Sequence, residues 1–161
     1  MSETLEPLSD YEIECGKPLP SLHHALVQNQ LSFLLNRNFR SVFSFSTELD
    51  LELGGQPATP DICVYPKVKL NFKREADILK MTQPPITTIE ILSPKQALDE
   101  VVAKARDIYF PNGVQSSWVV MPALETIVLI DPNLDTTYFN KGELLDPVTN
   151  IRLSIEEIFE G

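Results

Sequence analysis

Apolar positions change their spacing several times along this chain, and each change marks an element. After Ser21, the residues Leu22, Leu26, Gln30, Phe33 and Leu34 recur at three- and four-residue steps, with Leu31 and Leu35 widening the stripe. That spacing predicts a helix over about 21–37, capped by Ser21 and stopped by Asn36-Arg37-Asn38. Residues 41–46 and 47–53 alternate instead. Leu49, Leu51 and Leu53 fall on one side, Glu48, Asp50 and Glu52 on the other, and Gly54-Gly55 closes the run. Asp61 to Tyr65 is a short apolar strand ended by Pro66, and Ile86 to Leu92 is another, stopped by Ser93-Pro94. Between them, 67–83 is polar and basic, and reads as loop with a short helix at about 75–81.

Helical spacing returns with Leu98, Val101, Val102, Ala105, Ile108 and Tyr109, which predicts a second helix over about 96–110, ended by Pro111-Asn112-Gly113. Residues 117–121 and 126–130 are near-continuous apolar runs, as in strands covered on both faces. Asn140-Lys141-Gly142 between Tyr138-Phe139 and Glu143-Leu144-Leu145 is a hairpin signal. Ser154, with Glu157 three residues on, caps a last short helix. Helix, strands, helix, strands implies an α/β (α+β) domain: a mixed sheet flanked by helices, spanning 21–161. Residues 1–20, with Pro7, Pro18 and Pro20 and no period, read as an extended arm.

Composition narrows the class. At 161 residues and 43% hydrophobic, the chain can bury one sizeable core. It has no run of about 18 apolar residues to span a membrane, and its acidic first residues do not resemble a secretory signal. Two distant cysteines, Cys15 and Cys63, lack zinc spacing, and Cys63 reads as a reduced core thiol; the expected compartment is the cytoplasm. The formal net charge of −10 opposes nucleic-acid binding in general. Against that balance, Lys67, Lys69, Lys73, Arg74 and Lys80 cluster, either as a basic rim or as a solvated loop.

Three positions could carry chemistry. Asp61 opens a strand behind Pro60; it is either a turn aspartate or a ligand. Glu90 sits between isoleucines, where a carboxylate is costly without a cation, so it is either half of a buried ion pair or a metal ligand. Lys104 adjoins the apolar face of the second helix; it either pairs with Glu100 on the helix surface or reaches the sheet. Lys95 is the other candidate amine, and Glu48 a candidate third carboxylate on the polar side of its strand. His23-His24 reads as surface or helix packing, because adjacent helical histidines diverge by about 100°. No phosphate-binding glycine loop and no Gly-x-Ser-x-Gly is present.

Thr59-Pro60-Asp61-Ile62, Ile89-Glu90-Ile91-Leu92-Ser93-Pro94, Lys104, Tyr109, Gly113-Val114 and Trp118-Val119-Val120 together resemble the Uma2-type (DUF820) proteins, often labelled restriction endonucleases, of the PD-(D/E)XK nuclease-like superfamily. The resemblance covers roughly residues 20–131. It implies the restriction-endonuclease-like fold, Asp61 and Glu90 as ligands of Mg²⁺ (or Mn²⁺) with the backbone carbonyl of Ile91, and Lys104 as the activating amine. Glu48 would then hold a second metal or orient Lys104. Two departures stand out. The position two after the acid, where the superfamily has lysine, is Leu92 here. The Lys104–Tyr109 separation is one residue longer than the common spacing.

The function expected is Mg²⁺-dependent hydrolysis of DNA by a homodimer, with the apolar segments 126–130 and 138–145 as the dimer surface. The alternatives are a catalytically inactive binding or assembly module on the same scaffold, and a metal-dependent hydrolase of a small phosphate substrate.

Overall fold

A computed structural model describes residues 19–160. The arm predicted over 1–20 and Cys15 therefore lie almost wholly outside the described residues. Strands β1 (Phe43–Thr47), β4 (Ile62–Pro66), β5 (Thr87–Ile91), β6 (Ser116–Met121), β7 (Thr126–Ile130) and β8 (Thr136–Phe139) form one sheet in the order β1-β4-β5-β6-β7-β8. All neighbours are antiparallel except β5 and β6. That parallel step needs a crossover, which α2 (Leu98–Lys104) and the turns following it provide. The expected mixed sheet flanked by helices is thus what forms.

Strand alternation sorts the sheet's side chains into two layers. Ile62, Val64, Ile89, Ile91, Trp118, Val120, Ile127 and Leu129 pack under α1 (Leu22–Phe39), the hairpin of β9 (Glu143–Asp146) and β10 (Ile151–Ser154), and α3 (Ile155–Phe159). Cys63 and Tyr65, on the other face, pack with Ala105, Tyr109 and the small hairpin of β2 (Leu51–Leu53) and β3 (Gln56–Ala58). Cys63 is buried in this layer, as expected of a core position.

One buried carboxylate fastens the β9–β10 hairpin to the sheet. Asp146 Oδ2 accepts from Ser116 Oγ at 2.7 Å and Trp118 Nε1 at 2.8 Å, while Oδ1 accepts from Val148 N at 2.9 Å. Thr87 and Ser116 hydroxyls lie 2.6 Å apart and extend the network into β5.

The structure corrects several expectations. The helix 1 stripe is rotated: Leu22, Leu26 and Phe33 are exposed, and His24, Leu31, Leu34 and Leu35 face the sheet. The Asn36-Arg37-Asn38 run does not stop this helix, which continues to Phe39. The strand predicted over 47–53 is broken at 48–50, with Glu48 at φ 52°. No helix forms at 75–81, where the chain is turn and loop. Strands β8 and β9 do not pair; β8 pairs with β7, and β9 with β10. The predicted second helix is only seven residues of α-helix, followed by a π turn at Ala105–Tyr109 and a 3₁₀ turn at Phe110–Asn112.

Candidate active site

The site forms where β4 and β5 begin to separate. Their register pairs Ile62 with Ile89, Cys63 with Thr88 and Val64 with Thr87, so one further step sets Asp61 opposite Glu90. Alternation puts Glu90 on the α2 face, where Tyr109 meets it, whereas the Asp61 carboxylate lies between the β5 main chain and His24 of α1. Asp61 Oδ2 takes the β5 main-chain N–H of Ile91 at 2.7 Å, a side chain standing in for a ladder carbonyl. Asp61 and Glu90, one position past the last paired residues, are 1% and 2% exposed.

Each acid is oriented through one named oxygen. His24 Nε2 lies 3.1 Å from Asp61 Oδ2. Ser21 caps α1 by accepting from His24 N, which fixes His24 in the first turn, and the inward stripe of α1 buries its ring. Its Nδ1 is buried without a hydrogen-bond partner among the described residues. Since Nε2 faces a carboxylate oxygen, that nitrogen carries the proton. Tyr109 donates its hydroxyl to Glu90 Oε1 at 2.7 Å. Burial first, and the Glu90 charge second, push the Tyr109 phenol well above its ordinary pKa, so it stays a donor.

Tyr109 reaches Glu90 from the π turn, whose signature is Phe110 N–H bonding to Ala105 C=O. In an α-helix, positions five apart diverge by about 140°. The wide turn reduces that divergence and draws Tyr109 nearer to the side of the helix that Lys104 occupies. Lys104 ends α2, half-buried. It makes no ion pair with Glu100 or with any other described carboxylate. The structure thus buries Asp61 and Glu90 at facing register positions just past the last β4–β5 pair, and leaves Lys104 one turn before Tyr109.

Glu48 is exposed, and its main-chain N–H donates to Asp61 C=O at 3.0 Å. Its backbone, in the left-handed region, marks where the chain turns away from β1 beside the site. With Ala25, Gln28, Asn29 and Thr47 it lines an open depression against α1. Ile91 contributes its N–H to Asp61.

Sequence reasoning gave Tyr109 no role and set His24 aside. Tyr109 was legible as an apolar-face residue and as part of the family resemblance, without a chemical task. The signal for His24 was its seven-residue distance from Leu31, which puts a titratable ring on the buried stripe.

Among the described residues, no three His, Cys, Asp or Glu side chains gather as a metal cage. Two carboxylates held in place by donors suit a hard cation such as Mg²⁺, which keeps several waters and takes one or two protein carboxylates. They do not suit zinc, which prefers three or four nitrogen or sulfur ligands. Donors of the Tyr109 and Ile91 kind fix ligand orientation around such ions.

A family model described as "Uma2: Putative restriction endonuclease" matches residues 6–156. Among solved structures, the chain is similar to a "putative nuclease belonging to DUF820" from Anabaena variabilis, with a TM-score of 0.75 and 25% identity, covering 88% of this chain and 83% of that one. A comparison with functionally curated proteins finds no match. No helix among the described residues is long and apolar enough to cross a membrane.

Proposed function

We propose that this chain, which belongs to the Uma2 family, is a nuclease that hydrolyses DNA phosphodiesters with a divalent metal at Asp61 and Glu90. The observation that carries this reading is the burial of two acids one step past the β4–β5 register, with Asp61 held by the Ile91 N–H and Glu90 by the Tyr109 hydroxyl. Adjacent like charges in a low-dielectric interior repel, and a cation between them offsets that cost.

Asp61 and Glu90 would hold Mg²⁺ or Mn²⁺, with the Ile91 carbonyl as a further ligand. Such an ion supplies an acidic bound water and polarises a phosphate oxygen. The protein's own groups have distinct tasks. His24 and the Ile91 N–H keep Asp61 in one rotamer. Tyr109 does the same for Glu90. Lys104, ending the crossover helix, stabilises charge on the phosphate. Glu48 orients Lys104 or holds a second ion. Two copies would cut the two strands, which light scattering tests. The surface first expected for self-association narrows to the edge strand β8, since β7 lies inside the sheet with its apolar residues buried.

One observation favours a second reading, an inactive binding module: both acids are all but sealed from solvent. Calorimetry with Mg²⁺ and Mn²⁺ decides between the two readings. The nuclease reading expects binding by the parent chain, lost in Asp61→Ala and Glu90→Ala, and metal-dependent cleavage of a DNA duplex. Absence of metal binding by the parent would favour the module. Binding without cleavage of any DNA form would favour a small phosphate substrate.

A further inference from the structure

Every residue of 66–80, between β4 and β5, is exposed. The segment carries five of the chain's 13 lysines and arginines and two acids. It also displays Val68, Leu70, Phe72, Ile78 and Leu79, with Phe72 at 89% and Leu79 at 85% exposure. Exposed apolar residues gathered in one segment, unlike ones scattered singly, mark contact surfaces.

The two acids face the loop's own backbone. Glu75 Oε2 accepts from Asn71 N at 2.7 Å, and Asp77 Oδ1 from Ile78 N at 2.8 Å. Val68 N bonds Ser44 Oγ, and Arg74 and Glu75 bond back to Asn71 C=O, so the loop has a defined course. Lys67, Lys69, Lys73, Arg74 and Lys80 make no ion pair among the described residues.

The loop returns beside the candidate site. Met81 forms a parallel bridge with Leu51, bonding Asp50 C=O and Glu52 N–H. Strand β2 leads away from Glu48, which is tied to Asp61, so the parallel direction sets Leu79 and Lys80 on the site side of that bridge. The segment starts at the other end of β4, where Val68 N bonds Ser44 Oγ at 2.8 Å, so a cationic, apolar-tipped arm runs from there to the Met81 bridge on an otherwise acidic protein.

We propose that segment 67–80 is a DNA-gripping arm: its five cations contact phosphates, and Phe72 and Leu79 pack against bases or sugars. This rests on the nuclease reading and adds where the duplex is held. Charge favours the assignment, since the arm concentrates five exposed cations on a chain whose net charge is −10.

The test is fluorescence anisotropy of a labelled 20-base-pair duplex in EDTA, across a salt series. It compares the parent, a variant with Lys67, Lys69, Lys73, Arg74 and Lys80 all changed to Gln, and Phe72→Ser. We expect the charge variant to lose about 4 from the slope of log affinity against log salt. Phe72→Ser should bind about tenfold more weakly at an unchanged slope. All the substituted side chains are exposed, so thermal melts should match the parent. A parent that binds DNA equally well with or without these substitutions would overturn the arm while leaving the nuclease reading intact. A parent that neither binds nor cuts DNA would remove both. Loss of self-association in the variants, or of binding to phosphatidylserine vesicles, with DNA affinity unchanged, would assign the loop to another partner and overturn the proposal.

Discussion

Tyr109→Phe removes one oxygen and keeps the ring, so it isolates the hydrogen bond to Glu90. The phenol is 1% exposed and its oxygen lies 2.7 Å from Oε1. A hydrogen bond to a charged acceptor contributes about 1.5–3 kcal/mol, and no water replaces the lost donor at this burial. Taking about 2 kcal/mol, the folding equilibrium shifts about 30-fold. For a domain of this size the midpoint of melting falls by about 4–8 °C. Urea unfolding followed by fluorescence of the single tryptophan, Trp118, buried on the sheet, measures this directly. In a Glu90→Gln background the same change should cost about 1 kcal/mol or less, because the acceptor is then neutral. If Glu90 is a metal ligand, Tyr109→Phe also weakens Mn²⁺ binding by about 10- to 100-fold. A variant within 0.5 kcal/mol of the parent (roughly the limit of a neutral surface change) would refute the claim that this bond holds Glu90.

Other outcomes follow from the same coordinates. Asp146→Ala strips two fully buried donors, Ser116 Oγ and Trp118 Nε1, and the part-buried Val148 N–H of their acceptor, and should cost about 3–5 kcal/mol in urea unfolding; a loss under 1 kcal/mol would show that the β9–β10 hairpin is not fastened there. Gly54→Ala meets φ +58° and sets a Cβ 2.6 Å from Asn112 Oδ1, whose amide is pinned to Ile108 C=O. A loss of about 1–2 kcal/mol is expected, and a neutral result would mean that the hairpin moves aside. At high pH, the Tyr109 and Tyr65 phenols are both raised above 10 in the folded protein, by burial first. Folding therefore keeps its full stability below about pH 10 and loses up to 1.4 kcal/mol per pH unit per tyrosine as pH rises beyond it. Tyr109→Phe should halve that slope in urea titrations from pH 9 to 11, and an unchanged slope would contradict the burial argument.

The strands around the acids were legible because burial on both faces leaves long apolar runs, and Pro66 and Ser93-Pro94 end two of them. Once β4 and β5 are neighbours, the facing positions of Asp61 and Glu90 follow from register alone. Helix 1 was misjudged because apolar residues surround much of it, and the polar His24 disguised its inward side. Asn140-Lys141-Gly142 was read as a hairpin from local chemistry, but β9 is claimed by β10 through the Asp146 network, whose partners lie about 30 residues away in sequence. The π turn leaves no mark on hydrophobic periodicity; only the Lys104–Tyr109 count hinted at it.

That turn gives the crossover some slack. Deleting a solvent-facing residue such as Arg106 or Asp107 would let the segment tighten into ordinary α-helix. Val101, Ala105 and the phenol would then align at i, i+4 and i+7. The ammonium group of Lys104 would swing by a fraction of a turn relative to the phenol, while the sheet stayed as it is. Chain length, rather than side-chain identity, can therefore retune the angle between the amine and the phenol.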